Sequence, residues 1–230
     1  MEVQKNQGTA ITPPLEGKGE APYVITIGRE LGSGGKAIGE LMAKELGIPV
    51  YDRRLIMMAA QESGLAPEVF EKADETPSKG LMSSIMRTLS SPFSSFSSLY
   101  TNSMSKESLF QVQADIIRQK AAEESCIIVG RCSDYILREH PRHLDIFVRA
   151  NYEDRVAQMV KRFQCTEKEA KELIDKMDEV RSNYHNFYAE TNWGDSRAYD
   201  ICVNSSILGI EGTADLLLKF AYAWGCTIKR

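Results

Sequence analysis

The sequence predicts an α/β protein: a five-stranded parallel sheet with helices on both faces. Three observations carry that expectation. Short apolar runs at Tyr23–Ile27, Ile48–Tyr51, Cys126–Gly130, Leu144–Val148 and Ile201–Val203 alternate with longer stretches of helical periodicity. The runs are rich in β-branched residues and nearly continuous, as strands covered on both faces are. A glycine cluster, Gly32-Ser33-Gly34-Gly35, separates the first run from the first helical stretch.

That cluster is the most informative stretch of the chain. Glycines at a strand-to-helix turn let successive backbone N–H groups converge on an anion at the helix N-terminus. The spelling is a variant of the phosphate-loop pattern G-x-x-x-x-G-K-[ST]. Counting back from Lys36, the first glycine of that pattern falls on Glu30, and its Ser/Thr falls on Ala37. Gly32, Ser33, Gly34, Gly35 and Lys36 are the candidate ATP-binding residues, and Ser33 stands in as a metal candidate for the absent hydroxyl at Ala37. A glycine turn without a ligand is the alternative account. A dinucleotide fingerprint fits less well, because Ala37 occupies the third glycine position.

The other elements follow in order. Residues 1–22 carry glycines and prolines without periodic hydrophobicity and read as a flexible tail, so the domain spans 23–230. The first helix runs from about Lys36 to Leu46 and stops at Gly47. Pro49 places the second strand near an edge. Asp52-Arg53-Arg54 follows it, and helices are read through Leu55–Gln61 and from Pro67. Serines interleaved with Leu81, Met82, Ile85, Phe93 and Phe96 mark 76–108 as a mobile flap. A helix over about 106–124 leads into the third strand, and a short helix over 135–138 precedes the fourth. Asn151 starts a helix, and the capping box Thr166–Glu169 starts a long charged one. Pairs four apart, Glu167 with Lys171 and Glu172 with Lys176, read as a solvated face. The fifth strand and a last helix ending near Gly225 complete the domain.

Composition narrows the function classes. The chain has 230 residues, 43% hydrophobic and 26% charged, with net charge −4. No global basic field draws it to nucleic acid or anionic lipid, so phosphate binding has to come from local groups. Five cysteines lie scattered without metal-finger spacing, which suits a reducing, cytoplasmic setting. Cys126 and Cys202 read as core residues, and His140, His143 and His185 as surface groups. No apolar run is long enough for a membrane span. The apolar residues of the flap are a candidate contact for a homo-oligomer.

The order of these pieces resembles the cytidylate kinase-like family of P-loop nucleoside monophosphate kinases. The resemblance rests on Ile25-Thr26-Ile27-Gly28-Arg29-Glu30-Leu31-Gly32-Ser33-Gly34-Gly35, then Val50-Tyr51-Asp52, then Ile127-Ile128-Val129-Gly130-Arg131. It implies a P-loop kinase-type sheet that binds ATP with Mg2+ on the glycine loop. It also implies an acceptor-binding insertion, which falls on 76–108, and a helical lid, which falls on 152–198. The expected reaction is phosphoryl transfer from ATP to a nucleoside monophosphate, CMP or dCMP. By the same resemblance Arg131 holds the acceptor phosphate, while Cys132 replaces the aspartate that helps read cytosine, and Gly35 replaces the catalytic lysine, with Lys36 one place later. A nucleotide sensor without transfer, or a kinase of another small metabolite, are the alternatives.

Phosphoryl transfer needs in-line positioning and positive charge around the transferred group. Arg29, Arg53, Arg54 and Arg131 follow the carboxyl ends of the first three strands, where ligands bind in parallel sheets. Asp52, Arg53 and Arg131 are the acceptor-binding candidates, and Asp52 is also a metal candidate, although a helix N-cap accounts for it equally well. Lys36, Arg162 and Arg181 are the catalytic candidates, with Arg155 a further lid arginine. Arg131 could instead bridge to Asp134 or Glu30. Trp193 either stacks on a base or anchors its loop, and anchoring is the better account.

Overall fold

The computed structural model describes residues 21–53 and 106–228. Most of the expected tail, Arg54, the helices read after it and nearly all of the 76–108 flap lie outside the described residues. Within them the sheet has five parallel strands in the order β2-β3-β1-β4-β5. These are β1 (Val24–Arg29), β2 (Val50–Tyr51), β3 (Cys126–Val129), β4 (His143–Arg149) and β5 (Ile201–Asn204). The helices are α1 (Gly35–Leu46), α2 (Lys106–Glu123), α3 (Ser133–Ile136), α4 (Tyr152–Phe163), α5 (Glu167–Tyr188) and α6 (Ser205–Trp224).

Alternation along β1 decides which helices cover which face. Ile25 and Ile27 join Ile38, Met42 and Leu46 of α1 and Leu217 and Ala221 of α6 in one apolar cluster. Val24 points the other way, into a cluster with Ile116 and Ile117 of α2 and Ile136 of α3. Each fully buried aliphatic side chain removes apolar area from water, contributing about 1.5–3 kcal/mol. A third, smaller core belongs to the lid: Val156 and Met159 of α4 pack against Leu173, Ile174 and Met177 of α5, with Leu31 of the glycine loop among them. The loop is therefore part of the lid's core as well as the sheet's edge.

Helix ends follow the sequence signals closely. Gly47 and Gly225 take left-handed C-cap conformations after α1 and α6. Thr166 and Glu169 form the reciprocal capping box that starts α5, and Lys171 binds Glu167 at 2.6 Å. Beside it, Lys168 lies 4.0 Å from Glu172. The short helix α3 begins two residues earlier than the pattern suggests. Two burial expectations are corrected. Cys202 is exposed, because β5 is an edge strand. His143 and His185 are enclosed, not surface groups: His143 Nε2 sits 3.2 Å from Thr26 Oγ1 and 2.8 Å from Asp145, and His185 Nε2 sits 2.6 Å from Asp134.

Candidate phosphate-binding site

Beyond Arg29 the chain turns through Glu30–Gly34 into α1. Gly32 and Gly34 hold positive φ of 85° and 78°, a region that non-glycine residues enter at a cost. Gly34 is the N-cap of α1, no side chain caps that end, and no acid sits in its first turn. The N-terminus of α1 thus keeps its positive dipole end available for an anion. This fits the phosphates of ATP. Ser33 does not present its hydroxyl there: it is buried and donates to the Glu30 carbonyl at 2.9 Å. Lys36 is engaged by carboxylates, with Nζ 2.6 Å from Asp52 Oδ2 and 3.7 Å from Glu40.

Positive charge comes instead from a set of half-buried arginines. Arg29 closes β1, Arg53 follows β2, Arg131 follows β3, and Arg181 comes from α5. Burial, followed by repulsion from Arg181 and Arg131, pushes the Arg29 guanidinium down to about 9. Burial pushes Arg53 down to about 8, with Arg131, Arg29 and Arg181 adding to the effect. Burial also lowers Arg131 and Arg181. A guanidinium holds its proton at neutral pH. The meaning of these shifts is that four like charges share one crevice at an energetic cost. A multiply charged anion would relieve that cost. The Nε of Arg131 is buried without a hydrogen-bond partner among the described residues, and its guanidinium carbon lies 5.7 Å from the Tyr184 ring centroid.

Glycines make room for this cluster. A Cβ on Gly130 would collide with Nη1 of Arg29, and one on Gly35 would lie 2.6 Å from the Arg29 Cβ. Gly130, Arg131 and Cys132 are successive residues with φ of 76°, 65° and 56°. Left-handed backbone at two non-glycine residues costs about 1–2 kcal/mol each, and such strain concentrates at functional sites.

The lid grips the loop from the other side. Arg155 of α4 is buried; its Nε donates to the Leu31 carbonyl at 2.7 Å, Nη1 lies 3.2 Å from Glu30, and Nη2 bonds Asp178. Asp178 of α5 accepts from the Leu31 amide at 2.8 Å, and Arg181 Nη1 reaches the Arg29 carbonyl at 3.2 Å. One loop amide is therefore already occupied by a carboxylate. Arg162 is not brought to the cluster: it is exposed near the end of α4, with its guanidinium carbon 5.2 Å from the Phe163 ring centroid. Trp193 packs edge-on against Phe147 at 5.3 Å, the anchoring arrangement.

Several participants were not singled out in the sequence. Asp178 and Tyr184 sit on a helix whose charge pattern reads as solvated. Gln113, buried on α2, accepts from the Tyr184 hydroxyl at 3.2 Å, so α2 is tied to the lid helix beside Arg131. A basic residue spaced three from an acid, as in Asp178–Arg181, was the available signal.

A parallel sheet of this order, with a glycine loop before its first helix and arginines along its carboxyl edge, defines the kinase class of nucleotide-phosphate-binding α/β proteins. Within that class the chain belongs to the cytidylate kinase-like family, whose family model matches residues 24–207. A protein of known structure from Eubacterium ventriosum, described as uncharacterized, is 28% identical with a TM-score of 0.64, covering 86% of this chain and 97% of its own. Shikimate kinase from Bacteroides thetaiotaomicron is 11% identical with a TM-score of 0.48, covering 87% of this chain and 98% of its own. A comparison with curated protein sequences gave no match. Family and fold together support a phosphotransferase. No helix among the described residues is long and apolar enough to cross a membrane.

Proposed function

We propose that the protein transfers the γ-phosphoryl group of ATP to a small phosphorylated acceptor, CMP or dCMP, giving the diphosphate, in a cytoplasmic setting. The observation that carries this reading is the convergence of Arg29, Arg53, Arg131 and Arg181 beside the uncapped N-terminus of α1. In this reading the α1 amides bind the ATP phosphates, Arg131 and Arg53 hold the acceptor phosphate, and Arg29 and Arg181 lie between them. Fixed guanidiniums placed where charge spreads in the transition state favour it over the ground state. Magnesium bound with ATP would neutralise phosphate charge; Asp52, which Lys36 now holds, would be its carboxylate, since the Ser33 hydroxyl is committed to Glu30. Gln113 and Tyr184 supply polar groups near Arg131 in place of the aspartate that Cys132 replaces.

The test is ADP release with ATP, magnesium and a panel of monophosphates. Saturable turnover with CMP supports the proposal, and no turnover with any monophosphate by folded protein overturns it. A second reading, a nucleotide sensor without transfer, is favoured by two contacts: Asp178 occupies the Leu31 amide, and Lys36 is held by Asp52. Tight ATP binding with no ADP release from any acceptor would select it.

A further inference from the structure

Directly after Arg131 the chain gathers three groups to which the reading above gives no role. Cys132 Sγ, a carboxylate oxygen of Asp134 and a ring nitrogen of His185 all lie within 4.8 Å of one another. Cys132 is 4% and His185 3% exposed, and the Asp134 side chain is 13% exposed. We propose that Cys132, Asp134 and His185 form a binding site for a zinc-type divalent metal ion.

Four features support it. The donors are one sulfur, one imidazole and one carboxylate, a set that suits zinc and cobalt and not magnesium or calcium. The imidazole is oriented as ligating histidines are: Nε2 faces Asp134 at 2.6 Å, while Nδ1 faces the Asn186 side-chain oxygen at 3.4 Å. An oxygen on the outer nitrogen keeps a proton there, so the inner nitrogen is the one that coordinates once its own proton has gone to solvent. The thiol is set in place by strained backbone, since Cys132 holds a φ of 56° as the N-cap of α3 and makes no side-chain capping bond there. Finally, the spacing is close to what an ion requires. Zinc–ligand bonds of about 2.0–2.3 Å put tetrahedral ligands roughly 3.5 Å apart, so the three donors need to move inward by no more than about an ångström. The Asp134–His185 hydrogen bond gives way, and the thiol and the inner imidazole nitrogen lose their protons to solvent as the metal binds.

The position gives such an ion a consequence. Cys132 directly follows Arg131, and His185 lies one turn beyond Arg181 on α5. An ion shared by the β3–α3 loop and the lid helix clamps together the elements that carry two of the site's arginines. Three protein ligands leave a fourth position for water.

The test is titration of chelator-stripped full-length protein with Co2+, followed by visible absorption. The expected result is one equivalent bound with a thiolate-to-cobalt charge-transfer band, displaced by Zn2+. Cys132→Ser loses that band, and His185→Asn weakens binding at least 100-fold. Cys132→Ser is nearly isosteric, so an unchanged circular dichroism spectrum without metal keeps the comparison valid even where His185→Asn fails to fold. Absence of any stoichiometric Co2+ spectrum overturns the proposal. So does a charge-transfer band that survives in Cys132→Ser, because the sulfur would then belong to another cysteine.

Discussion

Replacing Arg131 with methionine should make the free protein more stable while weakening its affinity for anions. Methionine keeps the length and apolar stem of arginine and tolerates the left-handed backbone no better, so the strain at φ 65° is unchanged. What disappears is a buried Nε without a partner, worth about 1 kcal/mol at the low end for such groups. Repulsion with Arg29 and Arg53 disappears too; in a half-open, partly solvated crevice we take it as about 1 kcal/mol, below the roughly 4 kcal/mol of a close pair near a protein surface. Loss of the contacts with Tyr184, its ring and its hydroxyl together, offsets about 0.5–1 kcal/mol. Tyr184 keeps its hydrogen bond to Gln113. The net gain is about 1–1.5 kcal/mol, which for a domain of this size raises the Tm by roughly 2–6 °C. Pyrophosphate should stabilise the wild type by about 2.7 kcal/mol at a hundred times its Kd. Losing a bidentate, charge-assisted donor should weaken that binding by roughly 10- to 100-fold. Differential scanning fluorimetry with and without pyrophosphate, at fixed ionic strength, reads both effects. A variant that melts below the wild type and keeps the full pyrophosphate shift would refute the reasoning, because Arg131 would then be a structural strut and not an anion ligand.

Three further outcomes are expected. Lys36→Ala should change stability by less than about 1 kcal/mol, because its bridge to Asp52 is made by an exposed side chain; in the ADP-release assay it should lose far less activity than Arg131→Met, and the opposite ranking would restore the lysine as the main phosphate ligand. Gly130→Ala meets a positive φ and the movable end of the Arg29 side chain, so chemical denaturation should show a loss of about 1–2 kcal/mol, most of it from the backbone; a change under about 0.5 kcal/mol would mean that residue 130 does not hold the left-handed conformation. Burial pushes the Cys126 thiol up to about 12 from an ordinary 9. A group whose folded value is raised contributes stability in full below the unfolded value and loses it as pH climbs towards the folded one. The stability advantage of wild type over Cys126→Ala should therefore narrow above pH 9, by up to about 1.4 kcal/mol per pH unit; a constant difference from pH 8 to 10.5 would show a thiol that is not shielded from solvent.

Local signals in the sequence were followed by the fold, and long-range ones were not visible. The glycine loop, the capping box at Thr166 and the terminating Gly47 and Gly225 are decided within a few residues, so their chemistry can be read directly. Arg155 and Arg162 show the limit. Seven residues apart, they lie on nearly the same face of α4, and periodicity treats them alike. They differ by about 10.5 Å along the helix axis, and only the residue in the first turn reaches the loop. Asp178 binds an amide 147 residues away, and a carboxylate on a charged helix gives no local hint of that. Cys202 and His185 were misread for a related reason. Which strand forms the edge, and which helix turn faces another, are properties of the assembled sheet and lid.

The missing lysine has an explanation in the same geometry. The resemblance to the nucleoside monophosphate kinases places their loop lysine at Gly35, and here that space is filled. A Cβ at residue 35 would sit 2.6 Å from the Cβ and 3.1 Å from the Cγ of Arg29. We propose that the chain delivers positive charge from the end of β1 instead, with glycine at 35 the condition for doing so. A double-mutant cycle tests this directly. Gly35→Ala alone should cost about 1–3 kcal/mol as an overpacked contact. In an Arg29→Ala background the same change should cost little, since alanine suits a helix better than glycine does. The coupling between the two positions should then be at least about 1 kcal/mol, as expected for residues in direct contact. Additive effects would mean that Gly35 is glycine for the loop's own backbone, and that Arg29 took no part in displacing the lysine.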